Sequence, residues 1–498
     1  MHSVSLPLTL PIPTSAPAKK DLAAISRFSR FSPPAAISYD AASVPVLRPE
    51  LSGDSAVAAY WDYQFLFASQ RSETRDPILL RVSEGSIPAD LPRGIYYLVG
   101  PGLLSDDHGS SVNPLDGHGY LRAFDFSGGD SVWYSARYVE TEAQREEMDG
   151  ETRRWRFTHR GRSRLLSHYK IDGKRKRLIV LACNTEDMLL PRSNFTFYEF
   201  DGDFELKQRK EFSVEDHLLI HDWSFTDSYY VLMGNRIKLD VAGSLVAASG
   251  MAPMVSALAP DPRQPSTPIY LLPRFSDDLQ RDWSVPIEAP GQLWSSHFSN
   301  SFEEQGTHGG LVVQLQAAVC SYQWINFPKM FGYDWRSSRL DPAYMNATQD
   351  KEALLSHLVR EPSEHWKRSA DFPAINPAFA GNKNSYVYAA TSSGSCRFLP
   401  HFPFDTVVKL NCLDGSVSSW CSGVRRFIGE PTFVPSIGGK EEDDGYILVA
   451  EYEVSKQRCH LVILDAKRMG EANAVKAKLE VPRQLTFPFG FHGFWTNT

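Results

Sequence analysis

Thr406-Val407-Val408-Lys409-Leu410-Asn411-Cys412-Leu413-Asp414-Gly415 reads as a strand running into a turn. Threonine and valine suit a pleated backbone, and Asp-Gly supplies the freedom a tight reversal needs. The pattern repeats outward in both directions. Strand-like runs rich in Val, Tyr and Leu occupy 95–99, 229–233, 311–319, 386–389, 446–452 and 461–464, with Asp-Gly, Gly-Gly or Asn-rich turns between them. Only 350–366 reads as a helix. Many short strands without alternating helices predict an all-β sandwich, barrel or propeller. A length of 498 residues favours the propeller. No clean internal repeat is visible, so its blades have diverged.

One interval breaks this rhythm. Between 137 and 177 charges crowd together, with Glu140, Glu142, Arg145, Glu146, Glu147, Asp149 and Glu151 followed by Arg153, Arg154, Arg156, Arg160, Arg162 and Arg164. An exposed helix or a charged loop accounts for it. Over the whole chain, a net charge of −7 and a pI near 6.1 leave no basic footprint for nucleic acid. The six cysteines are scattered and form no Cys-x-x-Cys pair. That argues against a cysteine zinc site and for a reducing compartment.

Residues 1–50 differ from the rest. They are rich in Ser, Ala and Pro and carry Lys19, Lys20, Arg27, Arg30 and Arg48, while Asp21 and Asp40 are the only acids before Glu50. That composition suits an organelle transit peptide, with a plain disordered tail as the alternative. No stretch qualifies as a transmembrane helix. The nearest, 241–260, is uncharged but holds three serines, two glycines and Pro253. It reads as a buried loop or as a patch that dips into a membrane face.

Chemistry concentrates on four histidines. His492 sits in Pro488-Phe489-Gly490-Phe491-His492-Gly493-Phe494, where glycines permit close backbone approach and aromatics exclude water. His168, His221 and His297 occupy similar settings in Ser167-His168-Tyr169-Lys170, Ile220-His221-Asp222-Trp223 and Ser296-His297-Phe298. Each alone is more often a packed core residue. Together they are candidate ligands, because neutral imidazole serves iron, copper, nickel or zinc, and oxygen chemistry would favour iron. Their wide separation in sequence requires convergence from different elements, as strands converge on a propeller axis. His217 and His221 form a His-x-x-x-His pair, but no glutamate follows His217 and the neighbouring aromatics favour strand, so His217 reads as a surface residue. Metal-bound histidines usually hand their second N–H to a carboxylate. Glu430, in Gly429-Glu430-Pro431, and Asp371, in Asp371-Phe372-Pro373, enter apolar strings and are the candidates, with solvated loop acids as the plain alternative.

These strings, in this order, resemble the carotenoid cleavage oxygenase family. The resemblance begins at Gly85-Ser86-Ile87-Pro88-Ala89-Asp90-Leu91-Pro92-Arg93-Gly94 and continues through Gly100-Pro101 and Asn113-Pro114-Leu115-Asp116-Gly117-His118-Gly119. It then takes in His168 to Asp172, His221-Asp222-Trp223, His297 to Glu303, Glu430 to Pro435, Glu441 to Gly445 and Gly490-Phe491-His492-Gly493. It implies a seven-bladed β-propeller over 51–498, with short helices and loops capping the tunnel face. It implies Fe(II) held by His168, His221, His297 and His492, with Asp371 and Glu430 behind them. The implied reaction cleaves a carotenoid double bond with molecular oxygen to apocarotenoid aldehydes. Finer strings at 156–161, 251–258 and 268–275 resemble a plant branch. That branch implies a plastid enzyme cutting 9-cis-β-carotene at the 9′,10′ bond, on the way to strigolactones, with peripheral membrane contact.

Three departures stand out. The family carries a long stretch between the string ending at Gly161 and the first ligand; here His168 follows almost at once. A segment is therefore expected to be missing near 162–167, exceeding the roughly 40–50 residues of a blade and including a Leu-Trp-Glu-like string. Asp371 stands where most of the family has glutamate, and Leu98-Val99 replaces Arg-Asn. The missing segment implies an incomplete propeller. Its alternative reading is a catalytically impaired shortened isoform that acts at most as an apolar-ligand or partner-binding remnant.

Overall fold

The computed structural model describes residues 55–497 apart from short internal stretches, the longest of them 341–369. Every strand expected above is present; 229–233 keeps its expected bounds and the others extend by one or a few residues. The opening decapeptide forms the strand Thr406–Asn411, which pairs antiparallel with Val417–Cys421, Thr406 opposite Cys421 and Leu410 opposite Val417. Gly415 makes the turn at φ +75°, and its N–H donates to the Asn411 carbonyl at 2.9 Å.

Among the described residues the strands build eight sheets, all antiparallel, six of them the blades of the ring. The first runs Thr74–Leu79, Trp133–Tyr138, Gly119–Asp125, Gly94–Pro101 and finally His492–Asn497. Its last member comes from the far end of the sequence, with Val99 opposite His492 and Tyr97 opposite Phe494. A second long-range pairing sets Arg81–Gly85 beside Val475–Glu480. Sewing early strands to late ones closes a propeller ring and protects its edges.

The burial pattern follows from this stacking. Gly445–Glu453 is buried at every position and Arg458–Asp465 at all but its ends, as expected of a blade covered on both faces. Gly94–Pro101 and Ser193–Phe200 alternate instead. The largest apolar cluster joins the first blade to the blades built on Tyr386–Thr391 and Gly445–Glu453. A separate cluster joins the Arg177–Cys183 blade to Trp223, Tyr230 and Tyr270 of the next.

The stretch 350–366 lies outside the described residues, as does 1–50. A helix not foreseen, Ala56–Leu66, is capped by Ser55 and buries Ala58, Ala59, Tyr63 and Leu66. Its Asp62 meets Arg425 at 2.5 Å in a buried ion pair. The crowded charges contain one short helix, Glu142–Glu147, capped by Thr141. Val241–Ala248 is a helix with no buried residue, which overturns the buried-loop alternative there.

Candidate metal centre

A regular strand sends successive side chains to opposite faces of its sheet, so aiming one along a ring axis requires an interruption. Each blade has one. His168 lies in the break between Leu165–Leu166 and Lys170–Asp172, and His221 in the break between Leu218–Leu219 and Ser224–Phe225. His297 sits at a register shift inside Leu293–Gln305, and Asp371 at another inside Ala370–Ala374. Glu430 falls between Arg426–Ile428 and Thr432–Pro435, and His492 opens the final strand. Bulges and breaks of this kind re-aim side chains. All six residues belong to strands at the edge of their sheets or to the breaks between such strands, one residue from each blade.

The four imidazoles meet. One nitrogen from each of His168, His221, His297 and His492 lies within 4.8 Å of the others. Nε2 of His221 is 3.1 Å from Nε2 of His297 and 3.4 Å from Nε2 of His168, and the rings of His168 and His492 are centred 4.2 Å apart. Asp371 Oδ1 accepts from His297 Nδ1 at 2.7 Å, which assigns the proton to Nδ1 and leaves the Nε2 lone pair facing inward. Glu430 is less close: its Oε2 is 3.6 Å from His492 Nδ1 and takes the Gly493 N–H at 2.7 Å. His492 Nδ1 is buried without a hydrogen bond. The glycines behave as expected, since a Cβ on Gly490 would meet Leu98 and Arg122 at 2.6 Å, and one on Gly493 the Tyr96 hydroxyl at 2.7 Å.

Electrostatics keep two of these rings neutral. Burial, then the neighbouring imidazoles and the Lys170 ammonium, hold His168 and His221 well below the ordinary histidine range. By its surface area His221 is nonetheless exposed. For His297 burial also acts downward, but the Asp371 charge and hydrogen bond prevail and raise it. Four imidazole nitrogens gathered at one point are the donor set a cation needs.

Several neighbours escaped the sequence reading. Phe372 packs its ring 5.0 Å from His297 and holds φ at +55°, a left-handed conformation uncommon for a bulky residue. It falls within the register shift between Asp371 and Ala374. Asp222 and Lys170 form a buried pair beside the histidines, 2.9 Å apart; an acid directly after His221 in an apolar string was the available signal. His217 is half-buried rather than on the surface, with its carbonyl accepting from Ile237, and it is not among the four. Two other acidic groups could suggest metal sites among the described residues, but cations already neutralise both. Glu451 and Glu453 pair with Arg426, Lys478 and Lys456, while Asp443 and Asp444 pair with Lys409 and Lys467.

A propeller whose blades each send one side chain to a common axis, four of them imidazoles, defines a class of histidine-centred propeller proteins. The family model described as retinal pigment epithelial membrane protein matches residues 67–164 and 151–497. The chain belongs to this family, which also contains the carotenoid oxygenases. It is 48% identical over 564 aligned positions to carotenoid cleavage dioxygenase 7, chloroplastic, of Oryza sativa subsp. japonica, covering 89% of this chain and 92% of that one. The Arabidopsis thaliana protein of the same name is 45% identical over 566, with the same coverage. Cobalt-substituted ACO of Synechocystis superposes with a TM-score of 0.67 at 22% identity, covering 88% of this chain and 98% of that one. Because 89% of 498 residues is about 443, about 120 of the 564 positions aligned with the rice protein have no counterpart here.

Proposed function

We propose that this chain is a plastid carotenoid cleavage dioxygenase with Fe(II) held by His168, His221, His297 and His492. The convergence of four imidazoles from four blades carries the reading. Four neutral ligands leave the charge of the ion uncancelled and need no acid–base pair beside it. Bound iron supplies the redox chemistry by which dioxygen reacts with an alkene. The protein holds and orients. Asp371 fixes the tautomer of His297, Glu430 stands behind His492, and Phe372 shields the pair from water. The carbon–carbon double bond breaks, one oxygen atom goes to each carbon, and two carbonyl fragments leave. Similarity to the rice and Arabidopsis proteins supports a carotenoid substrate and a plastid location, in keeping with the composition of residues 1–50. The finer assignment is the 9′,10′ bond of 9-cis-β-carotene, feeding strigolactone synthesis. Incubating iron-loaded protein with that substrate should yield an apocarotenal and a shorter aldehyde. No product, with the rice protein active in parallel, would overturn the assignment.

Contact with a membrane, where carotenoids dissolve, is the proposed role of Val241–Ala248. Val241 is 76% exposed and Leu245 69%, an arrangement that suits shallow insertion. Leu245→Asp should weaken liposome association, and unchanged binding would remove the role.

A second reading rests on the unmatched 120 positions. The two segments matched by the family model meet at 151–164, beside the expected gap at 162–167, which supports a chain shortened by at least one blade. Such a chain could bind a polyene without turning it over. Iron content separates the two readings. One iron per chain, lost in His221→Ala and His492→Ala, favours the enzyme; carotenoid binding with little iron favours the remnant.

A further inference from the structure

Beside the four imidazoles lies a buried carboxylate that none of the roles above employs. Asp222 is 4% exposed, and burying a charge is costly unless its oxygens are satisfied. They are. Oδ1 accepts from the Trp223 N–H at 2.8 Å and lies 2.9 Å from Lys170 Nζ. Oδ2 accepts from the Phe298 N–H at 2.7 Å. The next residue adds a fourth tie, since Trp223 Nε1 donates to the His168 carbonyl at 2.6 Å.

The donors come from three blades. Lys170 is two residues from His168, Asp222 follows His221, and Phe298 follows His297. We propose that Asp222 is the positioning residue of the centre, a clasp whose carboxylate joins the three strands carrying His168, His221 and His297 and sets their mutual distances. The Lys170 ammonium balances its charge. His492 stands outside the clasp, on the closing strand, so the quartet is a pre-set three plus one. The inference rests on the four-histidine reading above.

The probe is cobalt(II), whose visible spectrum reports ligand geometry. An asparagine offers one acceptor oxygen where the carboxylate offers two, so Asp222→Asn must release either Phe298 or the Lys170 side. Loss of an outer-sphere partner typically costs ten- to a hundredfold in metal affinity. Asp222→Asn should therefore bind cobalt at least tenfold more weakly, with a shifted spectrum, in chelator competition. Asp172→Asn is the control: an equally buried acid on the same blade as His168 that touches Arg274 and Arg175 instead. It should lower the melting temperature of the metal-free protein while keeping the wild-type cobalt spectrum and affinity. Wild-type affinity and spectrum in Asp222→Asn, or an equal loss in Asp172→Asn, would overturn the clasp. If Asp222→Asn does not fold, Lys170→Met decides: a shifted spectrum supports the clasp and an unchanged one removes it. Failure of the unaltered protein to take up cobalt would instead count against the four-histidine reading itself.

Discussion

Two blades of this ring differ in how completely they are covered. The blade of Gly445–Glu453 and Arg458–Asp465 sits in the largest apolar cluster with nearly every side chain buried. The blade of Arg177–Cys183, Ser193–Phe200 and Leu206–Val214 begins beside the expected gap, and it exposes Tyr169, Ile171, Phe204 and Leu206. Its anchor is polar. Arg274, fully buried, reaches Glu199 at 2.6 Å and Asp172 at 2.8 Å, and the Tyr230 hydroxyl adds to Glu199 at 2.8 Å. The flanked blade has buried ion pairs too, Glu451 with Arg426 and Lys478, and the second blade has its own apolar cluster around Phe197 and Trp223. What separates them is cover: the blade with exposed apolar residues loses more when its Arg274 anchor fails.

The contrast can be broken from either side. The largest effect is expected from Val462→Asp, which buries an unpaired charge in the flanked blade. It should cost more than about 4 kcal/mol, enough to abolish the cooperative denaturation transition. Arg274→Leu comes next. It strands two buried carboxylates, and losing one partner of a buried pair costs about 3–5 kcal/mol; urea denaturation should show that loss. At the centre, Asp371→Ala should weaken metal binding by about ten- to a hundredfold, read by chelator competition, while the metal-free protein melts nearly as before.

Acid sharpens the comparison further. Burial alone would raise the Asp172 carboxyl, but the Arg175 N–H and the Arg274 guanidinium prevail and hold it below its ordinary value of 3.8. A depressed folded value contributes stability that is complete above the unfolded value and is lost as pH falls through the folded one. Amide exchange in Arg177–Cys183 should therefore accelerate below about pH 4. Asp172→Asn should remove this acid step. The smallest effect belongs to Ile171→Asp. Its position is 43% exposed, so it should change stability by no more than about 0.5 kcal/mol; a loss comparable to that of Val462→Asp would mean the open side is covered after all.

Much of this was legible in the residues. Strand runs ending in Asp-Gly or Asn-rich turns specify their own boundaries, and the four histidines mark themselves only as a set, since each alone is more often a packed core residue. Asp371 and Glu430 were found because a charge in an apolar string requires a partner. What stayed hidden depends on contacts distant in sequence. The helix Ala56–Leu66 has apolar residues around most of its circumference, so no periodicity announces it. Asp222 looked like part of a ligand motif, and only the approach of Phe298 and Lys170 gives it a task. The left-handed turn at Phe372 falls within a register shift between paired strands, which one strand alone cannot reveal.

The seam between Gly94–Pro101 and His492–Asn497 has a consequence in time. A ribosome delivers the first of these strands almost four hundred residues before the second. Pairing across so long a loop is slow to find, and until it forms, His492 has no fixed place beside the other three. A cation held by all four imidazoles would gain its last ligand only when this seam forms, and a chain that stalls before its final strand is left unclosed.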